Sequence, residues 1–334
     1  MGVVTGVLVG AALSLVVAGV VYQRRGWKRD RRRLTTGEMV EIGGGRRVYV
    51  LRKGQGVPAV VFEAGFAAMH MNWRKVQEAV AARAETVAYD RGGLGWSAGP
   101  VAERTPRRIA AELREMLHAA GVRGPYVLVG HSFGGLVIRR FALEYPEDVA
   151  GVVLVDPMRT VDWPPVSERH GGTVANAQRV TWLAVVAAHV GIARLILRSL
   201  LCGRGLIAAG AGRIGGSQGR RLLDRLREEV GKMPEETRAV VATHWGSPGF
   251  FRGMRAHLDS LRASVVEMHE APAIKGVPVV VLTPLETAPL SAEELERVGK
   301  GARQVIAHKS KHWVHLDEPE LVVGEIFRVV GDRV

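Results

Sequence analysis

Residues 126–136 read Tyr-Val-Leu-Val-Gly-His-Ser-Phe-Gly-Gly-Leu. The run Val127-Leu128-Val129 is apolar and largely β-branched, the composition of a buried strand. A helix-forming stretch follows, from Leu136 to Tyr145. Between them Gly130 and Gly134 bracket Ser132 in the pattern G-x-S-x-G. A tight turn from strand to helix needs residues without a Cβ where the two backbones approach. Such a turn lifts the serine hydroxyl above the sheet, within reach of a base and a substrate. A plain Gly/Ser connector shares the five letters, and the flanking strand and helix separate this one from it.

Outward from that turn the chain alternates strands and helices. Residues 38–42 and 47–51 form a hairpin across Gly43-Gly44-Gly45, and a strand over 58–63 ends at Ala64-Gly65-Phe66. A helix over 71–83 leads to a strand over 85–89, which ends at Asp90-Arg91-Gly92-Gly93. Residues 105–120 are amphipathic, with Ile109, Leu113 and Leu117 four apart. A strand over 152–155 ends at Asp156-Pro157. Strand 277–282, helix 291–300, strand 303–306 and a helix from Pro319 close the chain. The alternation predicts an α/β fold: a mostly parallel sheet with helices on both faces and its chemistry at the carboxyl ends of the strands. The pattern breaks over 158–275, which is helical without a convincing strand and reads as a cap inserted over the active site. The expected organisation is therefore a transmembrane anchor over 1–23, a basic juxtamembrane linker over 24–37, a core of 38–157 and 276–334, and a helical cap over 158–275. Within the cap, residues 180–201 are conspicuously apolar. His189, Arg194 and Arg198 interrupt them and argue against a second span, so a buried cap helix is expected; the sharper alternative is a lid that lines an acyl-chain pocket or touches the bilayer.

The anchor is read from residues 2–22, which carry no charge and are almost wholly Val, Leu, Ala and Gly. As a helix they cross roughly 30 Å of hydrocarbon. A secretory signal would place positive charge before a shorter apolar run; here it follows. Of the net charge of +13, Arg24, Arg25, Lys28, Arg29, Arg31, Arg32 and Arg33, less Asp30, supply +6. Apart from Trp27 no aromatic residue interleaves with this cluster and no nucleic-acid motif is present, so nucleic acid is not an expected partner. The bilayer is, through residues 2–22 and the cluster 24–33, with the basic side and the catalytic domain cytoplasmic at the cell membrane. Gly2, Gly6, Gly10, Ser14 and Ala18 form a small-residue ridge suited to a homodimer contact. The single cysteine, Cys202, excludes an internal disulfide and reads as a small buried hydrophobe.

A serine hydroxyl needs a base oriented by a carboxylate. Among eleven histidines, position selects His312, in the loop after strand 303–306, over His315 nearer the helix. His308, His312 and His315 lack the acidic or thiol partners of a metal site, and no cofactor is implied. His131 packs rather than catalyses.

The motifs Gly-His-Ser-Phe-Gly-Gly, Tyr-Asp-Arg-Gly-Gly-Leu-Gly-Trp-Ser at 89–97 and Lys-His-Trp-Val-His-Leu-Asp-Glu-Pro at 311–319 resemble the α/β-hydrolase superfamily, and most closely its bacterial serine hydrolases. The resemblance covers about residues 38–332 and is weakest in the cap. It implies an oxyanion hole from the backbone N–H groups of Phe66 and Phe133, with Ala64 where many relatives carry histidine. For the triad acid, position after strand 277–282 favours Glu286, whereas relatives with this Asp-Arg-Gly motif often use the earlier Asp-Pro, here Asp156. Asp156 is preferred, Glu286 stays as the alternative and Asp162 as a weaker third. Asp90 and Arg91 are expected to brace loops. Haloalkane dehalogenases and epoxide hydrolases of this fold use an Asp nucleophile, so Ser132 argues against both. The expected activity is that of a serine esterase or lipase acting on a lipophilic small acyl substrate. Carbon–carbon bond hydrolysis, acyl transfer and a non-catalytic membrane-tethered binding role are the alternatives.

Overall fold

A computed structural model describes residues 2–99, 103–201, 228 and 230–331. Cys202 lies outside them. The strands are β1 (Glu38–Ile42), β2 (Arg46–Lys53), β3 (Val60–Glu63), β4 (Thr86–Asp90), β5 (Tyr126–His131), β6 (Val149–Val155), β7 (Val279–Pro284) and β8 (Arg303–Ala307). They make one sheet in the order β1-β2-β4-β3-β5-β6-β7-β8. The β1–β2 and β2–β4 pairs are antiparallel and every later pair is parallel.

The central strands are apolar on both sides because both sides are covered. From β5 and β6, Leu128, Val152 and Leu154 pack with Leu113, Leu117 and Phe141 of helices α3 (Pro106–Ala119) and α4 (Phe133–Glu144). Val127, Val129, Val153 and Val155 face the other way, onto Trp73, Val76 and Val80 at helix α2 (Arg74–Val80) and Ile326 and Val329 of the final helix. Each such side chain, fully withdrawn from water, stabilises the fold by about 1.5–3 kcal/mol. Residues 70–73 take a 3-10 turn, which leaves α2 shorter than the helix expected over 71–83.

The chain forms two compact units. One holds the sheet and comprises residues 36–176 and 256–334. The other comprises residues 1–35 and 177–255. It contains helix α1 (Gly2–Leu34), the larger part of α5 (Gly171–His189), α6 (Ile192–Leu201) and α7 (Glu235–Trp245). The observed division differs from the boundaries expected at 23, 37, 157 and 275: α1 runs unbroken through the basic segment, and residues 158–176 and 256–275 belong with the sheet. Helix α8 (Pro248–Asp259) bridges that boundary in sequence, and α9 (Leu261–His269), α10 (Ala292–Val298), α11 (Val314–Asp317) and α12 (Pro319–Gly331) complete the sheet unit. Among the described residues α1 alone is a single helix long and apolar enough to cross a membrane, a property it shares with signal sequences. Residues 180–201 are not one buried helix. They bend by 96° between α5 and α6 and leave large apolar side chains exposed.

Candidate active site

Ser132 stands between β5 and α4 with φ +53° and ψ −120°, a conformation few non-glycine residues adopt. The turn is held by its own backbone: the Ser132 N–H donates to the Val155 carbonyl, and the Ser132 carbonyl accepts from Gly135 and Met158. The expected role of the two glycines is visible as distance. A Cβ on Gly134 would stand 2.5 Å from the Ala64 carbonyl oxygen and 2.6 Å from that of Glu63. One on Gly130 would stand 2.7 Å from the Gly134 carbonyl oxygen. Strand and helix therefore approach as closely as glycine permits, and the strain falls on Ser132.

His312 lies after β8 and Asp156 directly after β6. The His312 Nδ1 and Asp156 Oδ2 atoms are 2.7 Å apart. Asp156 is nearly buried and the His312 side chain is half exposed. Because the carboxylate only accepts, Nδ1 carries the proton, which leaves Nε2 as the basic nitrogen. Glu286 is exposed in the loop after β7 and forms no bond to His312. Asp162 pairs with Arg169 instead. His315 is buried against Trp73, ring centroids 4.5 Å apart. Among the described residues Ser132 Oγ makes no hydrogen bond. The imidazole is tied to the elbow through His131, whose Nε2 donates to the His312 carbonyl at 2.9 Å and whose ring lies 4.6 Å from that of His312. Burial pushes the His131 imidazole well below its ordinary pKa, with His315 and His312 adding to the effect, so it is neutral and packs as expected.

Phe66 and Phe133 meet edge to face at 5.8 Å, which brings the two turns together, and Gly65 lies against Ser132. The Phe133 N–H opens α4 and has no acceptor within its own helix. The turn at 64–66 is braced from below. Arg91 donates to the Gly65 carbonyl and stands over the Phe133 ring. It also faces Glu63, which accepts from the Tyr89 hydroxyl. All three side chains are buried. Burial raises the Glu63 carboxyl above its usual range even though Arg91 and Tyr89 oppose the shift. Asp90 accepts from the His70 and Trp96 N–H groups and from His70 Nδ1. Both residues are braces, as the motif implied. Glu63 and Tyr89 were not singled out from the sequence; a carboxylate closing an otherwise apolar strand was the available signal.

Beside the elbow, Phe66 and Phe133 continue into an apolar cluster with Ile109, Leu136, Val137 and Met158. A cavity of about 530 Å³ opens past Met158, lined in part by Leu136, Arg139 and Met268, and neither Ser132 nor His312 lines it. Burial lowers Arg139 to about 10, and its guanidinium donates to the carbonyls of Pro272 and Arg297. Among the described residues no three His, Cys, Asp or Glu side chains gather as a metal-binding set.

Residues 58–178 match the family described as the α/β hydrolase fold. The sheet unit has the α/β-hydrolase fold. YqjL of Bacillus subtilis (strain 168), named as an uncharacterized protein, is 35% identical over 106 residues, 32% of this chain and 42% of that protein. The chain spans less than half the length of the curated relatives it matches. Among solved structures, the epoxide hydrolase CorEH aligns over 90% of this chain and 99% of its own, with a TM-score of 0.61 and 18% identity. An esterase from Thermogutta terrifontis aligns over 89% and 99%, with a TM-score of 0.57 and 21% identity. Likeness at those identities is likeness of fold, and the α/β-hydrolase architecture hosts many chemistries.

Proposed function

We propose that this chain is a membrane-anchored serine hydrolase that cleaves an ester or thioester of a lipophilic small substrate through an acyl-enzyme on Ser132. The observation that carries the reading is the 2.7 Å contact of His312 with Asp156, at the same end of the sheet as a serine held at positive φ. His312 Nε2 takes the Ser132 proton as Oγ bonds to the acyl carbon. The oxyanion so formed accepts from the Phe66 and Phe133 N–H groups. The imidazolium, stabilised by Asp156, then protonates the leaving alkoxide or thiolate as its bond to the acyl carbon breaks. Water repeats the sequence in the second half: its proton goes to His312, its oxygen to the acyl carbon, and Ser132 recovers its proton as the carboxylic acid leaves. The serine nucleophile favours this route over the epoxide hydrolysis named for CorEH.

Two features support a lipophilic acyl group. The cluster beside the elbow is apolar, and α1 read as a span supports a location where such substrates concentrate. By the positive-inside rule residues 24–33 stay cytoplasmic at the cell membrane. A fluorophosphonate probe tests the chemistry. The wild type is expected to be labelled and Ser132→Ala not; an unlabelled wild type, or equal labelling of both, overturns the serine mechanism.

A further inference from the structure

The lower half of α1 does not stand free. Residues 4–18 are exposed throughout, but Gln23, Gly26 and Asp30 are buried along one face of the helix. What covers that face is the bend between α5 and α6 and the helix α7 beside it. A Cβ at Gly19 would collide with the Val190 carbonyl. Gly191, at φ +76°, lies against the Gly19 carbonyl and the Tyr22 ring. One turn further on, a Cβ at Gly26 would stand 2.6 Å from Arg194 Nε. At the base, Asp30 accepts from Arg194, from Arg198 at 2.8 Å and from the Thr243 hydroxyl at 2.9 Å. Trp27 meets His244 edge to face. The contacts thus step down α1 at positions 19, 22, 26 and 30, one helical face.

That register sets a depth. Residues 2–22 as a helix are about 31 Å long, the thickness of the hydrocarbon core. Gly19 lies about 4.5 Å inside the end of that run, so the bend at Val190 and Gly191 reaches the same level. The large apolar side chains on either side of the bend, Trp182, Leu183, Val186, Ile192 and Leu195, are 47–63% exposed. In water a contiguous surface of that kind is unfavourable and marks an interaction site. Two of the charges that interrupt the segment in sequence, Arg194 and Arg198, are turned to Asp30. His189 is exposed at the bend, but the large exposed side chains on either side of it are apolar, and the contact of Gly19 with Val190 and Gly191 sets them beside the end of the apolar run of α1.

We propose that the α5–α6 bend is a wedge inserted into the cytoplasmic leaflet of the bilayer that α1 crosses, with Asp30 pinning it to the base of that helix. Its occupant is the acyl-chain region of the lipid, entered to the depth of about 5–10 Å at which amphipathic helices lie. This rests on the reading of α1 as a span, and the test separates the two. The full chain in a Cys202→Ser background receives one cysteine at a time, Leu13→Cys in the span, Leu183→Cys and Leu195→Cys on the wedge, and Glu41→Cys on the exposed β1. Each is tagged with a small fluorophore and reconstituted into phosphatidylcholine–phosphatidylglycerol vesicles. Doxyl groups on the lipid chains are expected to quench positions 13, 183 and 195, and aqueous iodide to quench only 41. If iodide quenches 183 and 195 while doxyl quenches 13, the wedge is wrong and the span stands. If neither agent reaches 183 and 195, protein covers the face, for instance a second copy, and the proposal falls. If iodide quenches 13, the span itself is wrong and the wedge with it. Fluorophosphonate labelling at the unmodified rate shows each variant folded, and Val186→Cys with Ile192→Cys replaces any that fails.

Discussion

Replacing Asp156 by Asn removes a charge and leaves a shape. The amide oxygen can still accept from His312 Nδ1 at the 2.7 Å separation of the native pair, so the ring keeps its place and its tautomer in the orientation that bonds. What is lost is the attraction between the carboxylate and the imidazolium that forms in the transition state. With charge centres about 4 Å apart and an effective dielectric near 20, that attraction is about 4 kcal/mol, or about three decades in rate at about 1.4 kcal/mol per decade. The half-exposed His312 ring is partly screened by water, which lowers the expectation to about 10²–10³ in kcat. Glu286→Gln, in its exposed loop, should stay within about twofold of wild type, the usual range for a surface change. The assay is steady-state hydrolysis of p-nitrophenyl esters, with thermal melts to confirm folding. A folded Asp156→Asn enzyme within tenfold of wild type, or a collapse of Glu286→Gln, refutes the assignment of Asp156.

Gly134→Ala forces a methyl group onto two backbone carbonyls; a loss of about 1–3 kcal/mol is expected in urea unfolding, with slower fluorophosphonate labelling. Arg91→Met strands the buried Glu63 carboxyl and should cost about 3–5 kcal/mol, whereas the double variant with Glu63→Gln should recover a large part of it; additive losses would contradict the pairing. His131 carries a depressed pKa, so below its ordinary value the unfolded chain binds a proton that the folded chain refuses. Stability should therefore be flat above about pH 6.5 and fall by up to about 1.4 kcal/mol per unit below it, and urea titrations of His131→Asn should show a shallower fall. A series of p-nitrophenyl esters should give kcat/KM rising from acetate to long chains, and a preference for acetate would contradict the lipophilic reading.

The core strands and the elbow are legible because local signals agree with tertiary demand: β-branched runs end at Gly, Asp or Ser, and each run is buried from both sides. The candidate acid was not legible by position alone. Asp156 and Glu286 both follow core strands, and what separates them is that one side chain is nearly buried facing His312 while the other is in solvent, a difference that depends on how β6, β7 and β8 align. Asp30 was harder still. As one acid among seven cations it reads as a charge to be subtracted, and only the fold supplies Arg194, Arg198 and Thr243, more than a hundred and fifty positions away. The apolar stretch over 180–201 misled for a related reason, since hydropathy reports that a surface avoids water without saying whether protein or lipid covers it.

The Ser132 N–H is bonded to the Val155 carbonyl, and the Asp156 N–H to that of Leu282. The two residues are thus the next rungs of ladders that already run through the sheet, and His312 is hung from the first of them by His131. Their spacing is inherited from strand pairing, a property of residues that residues 177–255 do not include. Mutation in those helices can therefore proceed without disturbing the register of Ser132 and Asp156. Under selection the two can drift at different rates: hydrogen-bonded strands that hold Ser132 and Asp156 in step, and helices free to be rewritten.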